Sequence, residues 1–175
     1  MSGTRSHWEE VYTTKADAEV SWFQPHSVQS LELIVSAAPN PASAIVDIGG
    51  GASRLVDDLI ARAYTDLTVL DVAEAALAKS KLRLGIDASK VDWIVADITG
   101  WHPLRAYDVW HDRAVFHFLT EPLHQEAYLS ALQAPQVPQS SWRHSRWTVP
   151  RNAAAFRCSA TVRRHWQNVL GQHSA

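Results

Sequence analysis

The chain has 175 residues, of which 46% are hydrophobic and 19% are charged, as expected for a globular protein with one core. Its single cysteine, Cys158, excludes a disulfide framework and a thiolate metal cluster, and it favours a reducing cytoplasm. No apolar run approaches the roughly 18–20 residues that span a bilayer, and the N-terminus lacks the apolar core of a secretory signal.

The net charge of −2 conceals an uneven distribution. Residues 1–126 carry 10 Lys/Arg and 18 Asp/Glu, a net charge of −8. Residues 127–175 carry 6 Arg but no lysine and no acidic residue, a net charge of +6. A change this abrupt indicates that the end of the chain differs in character from the rest.

Residues 6–23 are polar with aromatic residues interspersed, namely Trp8, Tyr12, Trp22 and Phe23. These aromatics are too sparse for a core helix and too many for a disordered tail. We expect a short helix or arm that lies over the body of the protein. It could pack there only for stability, or it could cover a ligand.

From residue 27 onward, predicted helices alternate with predicted strands. The predicted helices are residues 27–38, 52–63, 74–84 and 121–132. The predicted strands are residues 44–48, 67–71, 91–96 and 107–112. This alternation predicts an α/β protein with a doubly wound, Rossmann-like parallel sheet covered by helices on both faces. A ligand of such a sheet binds beyond the carboxyl ends of the strands.

Polar residues stand at the carboxyl end of each predicted strand, so the fold would bring them to one edge of the sheet. They are Asp47 with the glycines at 49–51, then Asp71, then Asp97, and finally His111 with Asp112.

The three glycines restrict the choice of cofactor. A Walker phosphate loop requires a lysine that is absent here, and a dinucleotide fingerprint requires a third glycine where Arg54 stands. Asp47 suits a ligand with a cationic end better than it suits a pyrophosphate. Asp71 follows Gly49 by 22 residues, which is where a carboxylate binds ribose hydroxyls.

Several segments, in this order, resemble the motifs of class I S-adenosylmethionine-dependent methyltransferases. The segments are residues 46–53, 68–72, 95–98 and 107–119. Residues 7–15 and 21–23 resemble the opening of a bacterial methyltransferase type 12 subgroup. The resemblance covers residues 7–132. It implies a methyltransferase domain at 1–132, with an N-terminal arm at 1–26, that transfers a methyl group to an unidentified small-molecule or protein acceptor.

The resemblance also implies roles for individual residues. The glycine turn would pass close to the methionine part of S-adenosylmethionine, and Asp47 would balance its cationic end. Asp71 would bind the ribose, and His111 would lie near the transferable methyl group. The full implied cofactor set is Trp8, Tyr12, Asp47, Gly49, Gly50, Gly51, Ser53, Asp71, Val72, Asp97, Ile98 and His111.

Methyl transfer needs a positioned acceptor and the exclusion of water, and it needs a base only if the acceptor is protonated. His111 and Asp112 are the candidate catalytic residues, although each could serve only to hold the strand end. We expect no metal, because the nine histidines include no ligand pair at i, i+4 spacing. We also expect no membrane partner.

Residues 133–175 depart from the family pattern and form an atypical basic segment rich in arginine and tryptophan. It could be a nucleic-acid-binding tail, a variant terminus, or the product of a shifted reading frame. The alternative function is therefore a catalytically impaired cofactor-binding relic whose tail contacts nucleic acid. We expect missing or irregular C-terminal strands, which would leave strand four as an edge and make stability marginal.

Overall fold

The computed structural model describes residues 5–14, 24–133 and 155–156. The helices are α1 (Arg5–Thr14), α2 (Val28–Ala37), α3 (Leu55–Ala61), α4 (Glu74–Leu84), α5 (Val115–Phe118) and α6 (Pro122–Leu132). The strands are β1 (Ala44–Ile48), β2 (Asp66–Asp71), β3 (Val91–Val95), β4 (Val109–Asp112) and β5 (Ala155–Phe156). A short 3₁₀ helix, Gly85–Lys90, connects α4 to β3.

The strands form one sheet in the order β3-β2-β1-β4-β5, and the first four are parallel. This confirms the predicted α/β architecture. The strand order reverses direction at β1, so the crevice between the carboxyl ends of β1 and β4 is the topological switch point. Parallel pairing in register places Asp47 directly beside His111 there.

Helices cover both faces of the sheet. On one face, Ile45 and Val69 pack against apolar residues of α2, α3 and α4. On the other face, Val46 and Leu70 pack with Tyr128 of α6. Because successive residues of a strand point to opposite faces, helices on both faces bury β1, β2 and β4 along nearly their whole length. At the edge of the sheet, β3 exposes Asp92 and Val95.

The helix predicted over residues 52–63 corresponds to α3, and its predicted start is too early. The structure begins α3 at Leu55, and residues 50–54 form turns and bends instead. Ser53 still contributes at the helix start, because its Oγ accepts a hydrogen bond from the Leu55 N–H at 3.1 Å. The helix begins later because the glycine turn takes up the intervening residues.

The prediction that strand four would be an edge of the sheet is wrong, because the two residues of β5 pair with it. Strand β5 pairs antiparallel with β4, with Trp110 opposite Phe156 and His111 opposite Ala155. The remaining part of the basic segment at 133–175, beyond Gln133 and β5, lies outside the described residues. The three interpretations of that segment therefore stay open.

A buried hydrogen-bonded chain joins α6 to the end of β4. Trp110 Nε1 donates to Tyr128 Oη at 2.9 Å, and Tyr128 Oη donates to Asp112 at 2.7 Å. Asp112 also accepts the backbone N–H groups of Val115 and Phe116 at 2.7 and 3.1 Å. Burial raises the pKa of Asp112, and these hydrogen bonds partly oppose that effect. Asp112 therefore holds the start of α5 in place.

Within the part of the chain that the structure describes, no helix is long and apolar enough to cross a membrane. The same residues contain no cluster of histidine, cysteine or acidic side chains that could hold a metal ion.

Candidate functional site

A cavity of about 230 Å³ lies at the carboxyl ends of the parallel strands and beneath α1. Every residue of the cofactor set implied by the sequence lines it, except Gly51. Further residues of the described chain also line it: Ser27, Ile48, Leu70, Ala96, Thr99, Arg113, Ala114, Val115, Phe118, Leu119 and His124.

The glycine turn brings the backbone against two carboxylates. Gly49 has a φ of +69°, which favours glycine, and its N–H donates to the Leu70 carbonyl at 2.7 Å. A Cβ on Gly50 would collide with the Asp47 carboxylate, and one on Gly51 would collide with the Asp71 carboxylate. Gly51 does not line the cavity. Its contribution is to let Asp71 come close behind it.

Asp71 is buried at the end of β2 and is held by the backbone. Its two carboxylate oxygens accept the N–H groups of Gly51 and Ala73 at 3.0 and 2.8 Å. Burial raises the pKa of Asp71 to about 6, and these two hydrogen bonds lower it in part. The nearby charge of Asp47 adds to the increase. This carboxyl group therefore titrates near pH 6, above the range of an ordinary aspartate.

Asp47 and His111 form a buried pair on the floor of the cavity. His111 Nδ1 lies 2.7 Å from Asp47 Oδ1, and the two side chains are 4% and 6% exposed, respectively. The second imidazole nitrogen, Nε2, lies 3.0 Å from the Oγ of Ser30 on α2. Both ring nitrogens therefore have a partner, which is what a buried histidine requires.

The end of β3 supplies a more open side of the cavity. Asp97 is exposed, and its Oδ1 accepts hydrogen bonds from the N–H and Oγ of Thr99 at 2.9 and 2.8 Å. Ile98 beside it is buried. Val72, after β2, lines the cavity as well.

The N-terminal helix α1 covers the cavity, and three contacts hold it there. Glu9 Oε1 accepts the N–H of Ala75 in the first turn of α4 at 3.1 Å, where a negative charge is stabilised by the helix dipole. Tyr12 is buried against the start of α4. Trp8 stacks on Tyr12, with ring centroids 6.4 Å apart, and meets the Phe118 ring edge-on at 5.4 Å.

Two features of the site differ from the sequence-based interpretation. Asp112, a candidate catalytic residue, does not line the cavity and instead accepts the backbone N–H groups of Val115 and Phe116 at the start of α5. The cofactor set implied by the sequence omits Arg113 and the residues of α5 that line the cavity, such as Phe118. Their position directly after the polar end of β4 was the signal that could have indicated them.

Comparison with known proteins identifies the fold. No protein-family description matches the sequence, and no curated protein matches it. Solved structures do match. The N-methyltransferase NodS from Bradyrhizobium japonicum, in complex with S-adenosylhomocysteine, is 19% identical and aligns with a TM-score of 0.59 over 73% of this chain and 65% of NodS.

Two further matches agree with this one. The DhpI–SAM–HEP complex is 17% identical, with a TM-score of 0.56 over 76% of this chain and 59% of DhpI. The amino pentose methyltransferase CalS10 from Micromonospora echinaspora, bound to SAM, is 21% identical, with a TM-score of 0.52 over 75% of this chain and 52% of CalS10. The chain has the class I methyltransferase fold. It spans between about half and two thirds of the length of these proteins.

The closeness of the glycine turn to Asp71 gives a prediction about stability. We expect Gly51→Ala to destabilise the protein by about 1–3 kcal/mol, because its Cβ would displace the Asp71 carboxylate and Ala76. Urea unfolding followed by circular dichroism measures this.

Gly100→Ala is the matched control, because its Cβ would meet only the Asp97 carbonyl at 3.9 Å. We expect a change of less than about 0.5 kcal/mol for the control. Equal stability of the two variants would contradict the close approach of the turn to Asp71.

Proposed function

We propose that this chain binds S-adenosylmethionine and transfers a methyl group to a small-molecule acceptor. The observation that carries the proposal is the convergence of the implied cofactor residues on one cavity. They come from α1 and from the ends of four strands. The fold therefore brings together residues as distant in the sequence as Trp8 and His111. The methyltransferase fold adds support.

The cavity has the chemistry that this cofactor requires. Asp47 offers a buried carboxylate that would hold a cationic amine, and Asp71 offers one that would accept hydrogen bonds from ribose hydroxyls. The glycine turn has no side chains, so a ligand can approach its backbone closely. S-adenosylmethionine, when bound, supplies an electrophilic methyl group on a sulfonium.

The aromatic residues of the cover serve two purposes in this proposal. The faces of Trp8 and Tyr12 attract a cation, as aromatic quadrupoles do. Together with Phe118, these side chains also keep water away from the reacting atoms. The docking of Glu9 on α4 would hold this cover in place.

The choice of a small molecule as acceptor rests on the neighbours. CalS10 is named for an amino pentose, and another match is a 1,6-didemethyltoxoflavin-N1-methyltransferase with its substrate bound. Nothing in the described residues supports the alternative of a nucleic-acid-binding relic, because its arginine and tryptophan clusters lie outside them. The domain boundary at 132 and the cytoplasmic location stay predictions.

Isothermal titration with S-adenosylhomocysteine and with NAD tests the proposed cofactor. We expect saturable binding of one S-adenosylhomocysteine per chain and no heat from NAD at the same concentration. Asp47 would repel a pyrophosphate, and Arg54 stands where the dinucleotide fingerprint requires its third glycine. Circular dichroism should first establish that the protein is folded. A folded protein that gives no saturable signal with S-adenosylhomocysteine would contradict the proposal.

The pH dependence of that binding tests the role of Asp71. Ribose hydroxyls donate to the ionised carboxylate, so protons compete with the ligand. Since the pKa of Asp71 is about 6, we expect affinity to be level at higher pH and to fall, by at most about tenfold per pH unit, as pH drops below it.

Asp71→Asn should bind more weakly and should lack this component of the pH profile. Asp66→Asn changes the same residue type at the opposite end of β2 and should keep the wild-type profile. Identical profiles for the wild type and Asp71→Asn would show that Asp71 does not contact the ligand.

A further inference from the structure

We propose that Ser30, His111 and Asp47 form a proton relay that deprotonates the methyl acceptor, which binds in a second cleft beside the cofactor cavity and reacts through an O–H or N–H group. This inference rests on the proposed methyltransferase function. It adds the chemical class of the acceptor and a role for Ser30, which the sequence analysis did not consider.

The hydrogen bonds of the three side chains fix the direction of the relay. The Asp47 carboxylate can only accept, so the hydrogen lies on His111 Nδ1, 2.7 Å away. In the neutral imidazole, Nε2 is then the acceptor, and it faces the Ser30 hydroxyl at 3.0 Å. Ser30 therefore donates to His111, and its own oxygen can accept a proton from another group. This donor order activates hydroxyl groups elsewhere in enzymes.

The relay connects two clefts. Asp47 and His111 line the cofactor cavity. Ser30 lines a second cleft, of about 450 Å³, together with the polar side chains of Gln24, His26 and Gln29.

The two clefts adjoin, because Arg113 lines both of them. Arg113 Nη1 donates to Oε1 of Gln24, another residue of the second cleft, at 3.0 Å. The reacting atom of the acceptor would therefore bind at the Ser30 hydroxyl, where the second cleft adjoins the cofactor cavity that His111 lines.

In the transfer step, the acceptor loses a proton and gains a methyl group. The acceptor atom gives its proton to the Ser30 oxygen while the Ser30 hydroxyl passes its own proton to His111 Nε2. The electron pair left on the acceptor forms the bond to the methyl carbon, and the pair of the broken sulfur–carbon bond stays on sulfur. The sulfonium loses its positive charge and the imidazole gains one.

The charges around His111 suit a proton acceptor. Asp47 on β1 contacts the ring, and Asp112 on β4 interacts with it electrostatically. Arg113 lines the second cleft, and its positive charge would oppose that of the imidazolium. His26 lines the same cleft, and its Nδ1 lies 2.9 Å from Asp58 Oδ1. Asp47 is the nearest charged group and is buried with the ring, so its attraction is the least screened.

The test compares Ser30→Ala, Ser30→Thr and, as a matched control, Ser36→Ala at an exposed position of the same helix. Titration with S-adenosylhomocysteine comes first, and all three variants should bind it within about threefold of the wild type, because Ser30 does not line the cofactor cavity. Failure of the wild type to bind would contradict the proposed function itself, not only the relay.

Radiolabelled methyl transfer is then measured with two probes of matched size, phenol, which carries a proton, and pyridine, which carries none at about pH 8. We expect Ser30→Ala to lower phenol methylation by about tenfold or more and pyridine methylation by less than about twofold. Ser30→Thr keeps the hydroxyl and should restore phenol methylation, and Ser36→Ala should resemble the wild type. Equal loss for both probes, or methylation of pyridine alone by the wild type, would overturn the relay.

A second readout does not depend on turnover. With ¹⁵N-labelled histidine, the His111 resonances of the protein bound to S-adenosylhomocysteine should show a proton on Nδ1 and none on Nε2 at about pH 8. Because Nε2 accepts the Ser30 hydroxyl, Ser30→Ala should shift the Nε2 resonance and Ser30→Thr should return it. If neither probe is methylated, this spectrum decides, and a proton on Nε2 of the wild type would overturn the relay.

Discussion

The site depends on the close approach of a glycine turn to two buried carboxylates. Side chains at positions 50 and 51 would occupy the space that Asp47 and Asp71 fill. With glycine there, the carboxylates at the ends of β1 and β2 lie directly behind a backbone that a ligand can reach. The rest of the structure positions this arrangement. The parallel register places the two strand ends side by side, and helices on both faces of the sheet bury them.

Two buried acids in one cavity are costly unless something compensates their charge. Hydrogen bonds hold each carboxylate in a different way. Asp47 accepts one from the His111 ring, whereas Asp71 accepts two backbone N–H groups and still has a pKa raised to about 6. A ligand with a cationic end and ribose hydroxyls would satisfy both carboxylates, and the proposed cofactor carries both groups.

Much of the fold was predictable, because short apolar segments followed by polar residues alternate with helical segments, a pattern typical of a parallel sheet covered by helices. The position of Asp112 outside the cavity could not be predicted from that of its neighbour, His111. His111 and Asp112 are adjacent in sequence, but successive residues of a strand point to opposite faces, so His111 meets Asp47 while Asp112 meets Tyr128. Ser30 could not be identified either, since its contact with His111 depends on how α2 packs against β4.

Hydrogen exchange with and without saturating S-adenosylhomocysteine tests most directly whether the strand ends and α1 form one cofactor site. The account predicts that amide exchange slows together at residues 49–53, 71–73 and 97–99 and in α1, while the 3₁₀ helix Gly85–Lys90, which does not line the cavity, is unchanged. Slower exchange at one of these segments alone, or no change at any of them, would contradict it.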